Sequence, residues 1–101
     1  MPEKSVPNIL RMEAPGAESE TSLTRRKMIV IGRGVECDLV IKDTKASRTH
    51  CRLTKDGVSF RLEDLGSSNG TFVDGKRIEG PVQLNLNQTF KVGDTIFYLS
   101  Q

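Results

Sequence analysis

The chain has 101 residues, of which 36 % are hydrophobic and 28 % are charged, and its formal net charge is +2. A chain of this length buries only about 60 to 70 % of the surface that it exposes when unfolded, which supports one core rather than two. The small net charge argues against a general nucleic-acid-binding surface. No apolar stretch approaches the roughly 18 residues that span a bilayer, and the first ten residues lack the long apolar core of a signal peptide. We therefore expect one cytoplasmic domain without a nucleic-acid or membrane partner.

The cysteine and histidine content excludes a disulfide framework and a four-ligand zinc site. Only two cysteines, Cys37 and Cys51, and one histidine, His50, are present. A zinc site of the structural type needs four such ligands, and small disulfide-dependent domains carry more cysteines. We expect both cysteines to be free thiols in a reducing compartment, and we expect no metal and no cofactor.

In chain order, the pattern predicts short strands joined by tight turns. Four turns are marked by the dipeptides Pro15-Gly16, Asp56-Gly57, Asp74-Gly75 and Gly93-Asp94, and Asp-Gly between apolar runs is a strong hairpin signal. The predicted strand segments are 8–14, 19–24, 27–33, 38–41, 51–57, 58–65, 70–78, 81–86 and 89–100, with a turn inside 70–78 and another inside 89–100. No segment of a dozen residues has helical periodicity.

Alternation in the sixth segment predicts one buried face and one wet face. Val58, Phe60 and Leu62 would point to the core, and the polar residues between them would point to solvent. The fold predicted from this pattern is an all-β sandwich of about ten or eleven short strands. Residues 1–7 are expected to form a tail and residues 8–101 the domain.

Three polar stretches lie between the predicted strands: Gly32-Arg33, "KASRTH" at 45–50 and "SSNG" at 67–70. Loops at one end of a sandwich come together, and binding residues often lie on such loops. If these three meet, they combine the cation of Arg33 and that of Lys45 or Arg48 with two hydroxyls and an amide. Such a set is rich in donors and poor in carboxylates, which suits a phosphate.

The same motifs resemble the forkhead-associated (FHA) domain family. The resemblance rests on "GR" at 32–33, "SRTH" at 47–50, "LEDLGSSNGTFVDGKRI" at 62–78 and "GDTIFYL" at 93–99, in the family's order and spacing. It implies an eleven-stranded β-sandwich of two largely antiparallel sheets whose loops at one end bind phosphothreonine peptides, without catalysis. The implied partner is a phosphothreonine-containing protein or peptide, bound by a monomeric domain of a longer protein.

The resemblance also implies a role for individual residues. Arg33 would grip the phosphate, Ser47 would donate its hydroxyl to a phosphate oxygen, and Arg48 would add charge. Ser68 would line the site, and Asn69 would hydrogen-bond the peptide main chain. The residues expected to support these loops are Gly32, His50 and Gly70.

Two further expectations concern the surroundings of the site. Lys45 is a candidate specificity residue that would favour an acidic residue in the peptide. Phe72 is expected to anchor the recognition loop to the core.

Two other function classes remain open from the residues alone. One is a scaffold with the same sandwich that docks partners through a sheet face, whether or not they are phosphorylated. The other is a hydrolase that uses Ser47, His50 and an aspartate such as Asp64, although no G-x-S-x-G elbow is present.

Overall fold

The computed structural model describes residues 7–101 and contains eleven β-strands and no helix in that range. In chain order the strands are β1 (Ile9–Ala14), β2 (Ala17–Ser22), β3 (Met28–Gly32), β4 (Leu39–Val40), β5 (Cys51–Asp56), β6 (Ser59–Asp64), β7 (Thr71–Val73), β8 (Lys76–Arg77), β9 (Val82–Leu84), β10 (Thr89–Val92) and β11 (Thr95–Ser100). The predicted all-β sandwich is confirmed.

The strands form two sheets. Sheet A has six strands in the order β2-β1-β11-β10-β7-β8, and sheet B has five in the order β4-β3-β5-β6-β9. All pairs are antiparallel except β3 with β4, where Ile31 lies opposite Leu39. Antiparallel sheets of this kind bury one face and expose the other, which matches the alternating sequence of β6.

The core lies between the inner faces of the two sheets. In β6, Phe60 and Leu62 are buried, and Leu62 lies opposite the equally buried Leu53 of β5. In sheet A, the rings of Phe90 and Phe97 stack with their centroids 4.9 Å apart. Burial of each such side chain stabilises the fold by about 1.5 to 3 kcal/mol. This core therefore keeps the two sheets together and fixes the positions of the strand ends from which the loops extend.

Three of the four predicted turns have the predicted residues, and one is displaced. In the β5–β6 hairpin, Asp56 lies opposite Ser59, so the two turn residues are Gly57 and Val58 rather than Asp56 and Gly57. Val58 was predicted on the buried face but is 46 % exposed. Gly57 has φ 65° at the first turn position, a conformation that favours glycine in a two-residue hairpin loop.

The N-terminal hairpin differs from the prediction in one boundary. The second strand begins at Ala17, two residues earlier than predicted, because Ala14 pairs with Ala17 directly across the Pro15-Gly16 turn. Of the predicted tail, residues 1–6 lie outside the described residues, and Pro7 is buried. The division of the chain at residue 7 stays a prediction. No helix long and apolar enough to cross a membrane occurs within residues 7–101.

Candidate functional site

Strand register brings the three polar stretches to the same end of the sandwich. In sheet B, Ile31 near the end of β3 lies opposite Cys51, which in turn lies opposite Asp64 at the end of β6. In sheet A, Val92 lies opposite both Thr71 and Thr95. The connections that follow or precede these residues therefore share one surface, which we call the apical surface. It comprises the loops 33–38, 41–50 and 65–70 and the turn 93–94.

Arg33 is held against the loop that carries Ser47. The Arg33 amide donates to the Ser47 carbonyl oxygen at 3.0 Å, and Arg33 Nε donates to the Ala46 carbonyl oxygen at 2.6 Å. Gly32 allows this approach, because a Cβ at that position would lie 2.1 Å from the Arg48 carbonyl oxygen. The side chain of Arg33 is thus tethered through Nε while the residue remains exposed.

Ser47 connects this loop to the turn that contains Ser68. The Ser68 amide donates to Ser47 Oγ at 3.1 Å, and Ser47 is half-buried. An oxygen that accepts this bond still has its own O–H to donate. The hydroxyl of Ser47 is therefore oriented by the protein and available as a donor for a ligand oxygen.

Asn69 is exposed and hydrogen-bonded to the same loop. Asn69 Nδ2 donates to the Lys45 carbonyl oxygen at 2.7 Å. Lys45 is fixed in turn by Asp43, whose Oδ1 accepts from the Lys45 amide at 2.9 Å. The other carboxylate oxygen of Asp43 accepts from the Asp94 amide at 2.7 Å and from Thr95 Oγ1 at 2.9 Å. Asp43 thereby links the 41–50 loop to the 93–94 turn.

The turn 66–70 is built around the carboxylate of Asp64. Asp64 Oδ1 accepts from Ser67 Oγ at 2.6 Å and from Thr71 Oγ1 at 2.7 Å, and Oδ2 accepts from the amides of Gly66 and Ser67 at 3.0 Å. Ser67 Oγ also accepts from the Gly70 amide at 2.9 Å. One buried serine and one carboxylate therefore shape the turn that presents Ser68 and Asn69.

Hydrogen bonding changes the pKa of the Asp64 carboxyl. Burial alone would raise this pKa, but the bonds from the Ser67 and Thr71 hydroxyls and from the Ser67 amide lower it below its ordinary value. A depressed folded-state pKa means that the ionised form of Asp64 stabilises the fold above its unfolded pKa of about 3.9. That contribution is lost as the pH falls through the folded-state pKa.

We therefore expect Asp64→Asn to be less stable than the wild type at pH 7, by about 1 kcal/mol for the weakened charge-assisted bonds, and the difference to shrink below pH 4. Urea unfolding between pH 7 and pH 2.5 measures it. Glu18→Gln, on the exposed edge strand β2, is the matched control and should track the wild type. A stability difference that stays constant across this pH range would contradict the role of the carboxylate.

His50 is completely buried beneath the apical surface and contacts two of its loops. Its Nδ1 lies 3.0 Å from the Ser47 amide, which donates to it, and its Nε2 lies 2.8 Å from the Gly70 carbonyl oxygen. Because Nδ1 accepts, the ring proton is on Nε2, which donates to Gly70. The histidine is therefore a neutral bridge between the 41–50 loop and the 66–70 turn.

The hydrolase alternative does not fit these contacts. Both ring nitrogens of His50 are engaged with backbone groups, and Ser47 Oγ accepts a bond from Ser68 rather than meeting the imidazole. The Asp64 carboxylate accepts hydrogen bonds from the Ser67 and Thr71 hydroxyls rather than from His50. Within residues 7–101 no group of three histidine, cysteine or acidic side chains is placed to hold a metal ion.

The cations of the apical surface differ in whether they are already paired. Arg48 forms an ion pair with Glu36 at 3.0 Å, and Lys45 forms one with Asp94 at 3.2 Å. Arg33 has no ion pair within residues 7–101. A ligand anion can therefore contact Arg33 without displacing a carboxylate, whereas it must compete for Arg48 and Lys45.

Sequence reasoning missed some supporting residues and misplaced one. Asp43 supports the site through hydrogen bonds from residues about fifty positions later in the chain, Asp94 and Thr95, so its neighbours in the sequence do not predict this role. Asp64 and Ser67 stand three residues apart before a glycine-rich turn, a spacing typical of side-chain-capped turns that could have been used. Phe72 was expected to anchor the recognition loop, but it is half-buried and alternates with the core-facing Thr71 and Val73. Buried Thr71, bonded to Asp64, is the anchor.

A family model and curated relatives match this chain. The model described as the FHA domain matches residues 29–93. FhaB of Mycolicibacterium smegmatis is 34 % identical over 85 residues, which cover 83 % of this chain and 55 % of FhaB. FhaB of Mycobacterium tuberculosis is 35 % identical over 71 residues, covering 70 % of this chain and 46 % of FhaB. The chain thus spans about half the length of these curated relatives.

Solved structures share the sandwich. The FHA domain of FhaA, complexed with the intracellular domain of Rv3910, has a TM-score of 0.80 and 28 % identity, over 90 % of this chain and 97 % of that one. Mycobacterium tuberculosis EmbR, in complex with a low-affinity phosphopeptide, has a TM-score of 0.80 and 26 % identity, over 91 % of this chain and 24 % of that one.

Proposed function

The chain belongs to the FHA domain family, and on this basis we propose that it is a phosphothreonine-binding module for phosphorylation-dependent protein–protein interaction in signalling. The observation that carries the proposal is the meeting of Arg33, Ser47 and the 66–70 turn on one surface through direct hydrogen bonds. The structures of FhaA in complex with the intracellular domain of Rv3910 and of EmbR in complex with a low-affinity phosphopeptide support the same function.

The proposed roles follow from the chemistry of each group. A phosphothreonine carries about −1.5 to −2 charges at pH 7 and offers only acceptor oxygens. Arg33 supplies a tethered guanidinium that forms no ion pair with residues 7–101, and the Ser47 hydroxyl supplies an oriented donor on the loop that tethers it. Arg48 adds charge when the phosphate displaces Glu36. Ser68 lines the site between Ser47 and Asn69.

Asn69 is proposed to bind the main chain of the peptide. Its amide nitrogen already donates to the protein, so its carbonyl oxygen is the atom offered to a peptide N–H. Gly32, His50 and Gly70 are proposed to support the loops rather than to contact the ligand. The module binds without transforming its ligand, and its two free cysteines, both buried, suit a reducing, cytoplasmic location.

The test offers the domain one degenerate peptide library in three forms, with phosphothreonine, phosphoserine or unmodified threonine at the centre. We expect micromolar binding of the phosphothreonine form alone in fluorescence anisotropy. Equal binding of all three forms, or binding of none, would reject the phosphate site and make the phosphate-independent scaffold the leading account.

A further inference from the structure

Arg77 lies beside the recognition turn, although the sequence predicted no role for it. A Cβ added at Gly70 would lie 2.6 Å from Arg77 Nε and 3.0 Å from its Cδ and Cζ. The side chain therefore rests directly against the backbone of Gly70, next to Asn69. Strand β8 places it there, because Arg77 lies opposite Phe72 of β7.

A second cation stands on the other side of Phe72. Lys91 of β10 lies opposite Phe72, and Ile96 of β11 lies opposite Lys91. Residues that are directly opposite in register share a face of the sheet, so these side chains form one row across the outer face of sheet A. We call Arg77, Phe72, Lys91 and Ile96 the outer row. Its last three members line a depression of about 350 Å³.

The two cations of the outer row are available to a ligand. Both are exposed, and within residues 7–101 neither takes part in an ion pair or a side-chain hydrogen bond. The carboxylate of Asp74, at the far end of the depression, accepts from Gln88 Nε2 at 3.0 Å. Arg77 is also restricted by its packing on Gly70, which reduces the entropy lost when it binds.

The charge of the outer face changes sign along the row. Beyond Ile96, the next residue across the sheet is Glu13, which lies opposite Glu18 of β2. The β8–β10 side of the face is therefore basic, and the β1–β2 side is acidic. A negatively charged segment is attracted to the first half and repelled from the second.

We propose that the outer row binds an acidic segment that flanks the phosphothreonine in the partner, an inference that rests on the function proposed above. The basic half adjoins Gly70, which directly follows the proposed peptide-binding Asn69. An extended peptide advances about 3.3 Å per residue, so a peptide bound at Asn69 can carry an acidic flanking segment on to Arg77, which packs against the adjoining Gly70. Phe72 and Ile96 supply apolar contact between and beside the cations.

The test uses two fluorescein-labelled phosphothreonine libraries, one with aspartate and glutamate in the flanking positions and the other with neutral residues there. We expect the wild type to bind the acidic library about three- to tenfold more tightly, the range for several exposed charge pairs. In Arg77→Ala this ratio should fall close to one, while binding of the neutral library stays within about twofold. Raising the salt concentration should also reduce the wild-type ratio.

Two variants separate this role from other sources of acidic preference. Lys55→Ala removes one exposed charge beside the β5–β6 turn, at the opposite end of the sandwich, and should keep the ratio. Lys45→Ala tests the other predicted source of acidic preference, the cation that is paired with Asp94. A ratio that persists in Arg77→Ala, or that is lost only in Lys45→Ala, would overturn the inference while phosphothreonine binding stands. If neither library binds the wild type, both proposals fail together.

Discussion

Arg33→Ala is expected to weaken binding of a phosphothreonine peptide by at least 30-fold, which corresponds to about 2 kcal/mol or more. Arg33 can contact the ligand without first leaving a carboxylate, unlike Arg48 and Lys45, which are paired with Glu36 and Asp94. Its bonds to a dianion are charge-assisted and about twice as strong as neutral ones. Isothermal titration of the wild type and variant with one library-selected peptide measures the loss.

The controls for Arg33 separate charge, geometry and folding. Ser47→Ala removes a neutral donor and should lose only about 1 kcal/mol, roughly fivefold. Arg33→Lys keeps the charge but loses the planar fork and the Nε bond to Ala46, so its loss should be intermediate. Lys55→Ala should bind as the wild type does. Equal losses in Arg33→Ala and Ser47→Ala would contradict the dominance of Arg33, and thermal melts establish that each variant is folded.

The strands were predictable because their signals are local. β-branched runs such as Met28–Gly32 and paired turn residues such as Asp74 and Gly75 mark strands and hairpins without knowledge of the partner strand. Both of these turn residues have positive φ, at 52° and 83°, as a two-residue loop of this type needs. Each signal depends on neighbours in the chain, so a single sequence contains it.

The displaced β5–β6 turn shows where local signals fail. Asp56-Gly57 and Gly57-Val58 can both form a two-residue loop, so turn chemistry alone does not choose between them. In the observed register Leu53 lies opposite Leu62, and both side chains are buried. Moving the loop back by one residue would shift the pairing by two residues and place Leu53 opposite Phe60, so the same side chains would still face the core. Neither turn chemistry nor the alternation in β6 therefore predicts which of the two loops forms.

The candidate site was predictable in its motif residues but not in its surroundings. Motif spacing predicted the segments that carry Arg33, Ser47 and Asn69, whose roles in binding stay predictions. The ion pair between Lys45 and Asp94 and the packing of Arg77 on Gly70 join residues that only the folded sheets bring together. The charge available to a ligand is therefore a property of the tertiary structure.

His50→Ala is expected to destabilise the domain by about 3 kcal/mol and also to weaken phosphopeptide binding about fivefold or more. The truncation leaves a buried cavity, removes the acceptor of the Ser47 amide and removes the donor to the Gly70 carbonyl. Cavities of this size and unsatisfied buried polar groups each destabilise a fold by about 1 to 3 kcal/mol. Chemical unfolding gives the stability, and titration below the onset of unfolding gives the affinity.

A core variant distinguishes the bridging role of His50 from simple loss of stability. Leu84→Ala on β9 removes a fully buried apolar side chain that takes no part in the hydrogen bonds between the apical loops. This truncation should destabilise the domain by about 2 to 5 kcal/mol. At a temperature where both variants are folded, Leu84→Ala should bind the peptide like the wild type, because Ser47 and Gly70 keep their common bridge. His50→Ala should bind more weakly, since its two loops lose the imidazole bridge and keep only backbone-anchored contacts such as the Ser68–Ser47 and Asn69–Lys45 bonds and the bond from the Leu65 amide to the carbonyl oxygen of residue 50. Equal affinities of the two variants would mean that the remaining bonds suffice to align the loops and that His50 contributes to stability but not to binding.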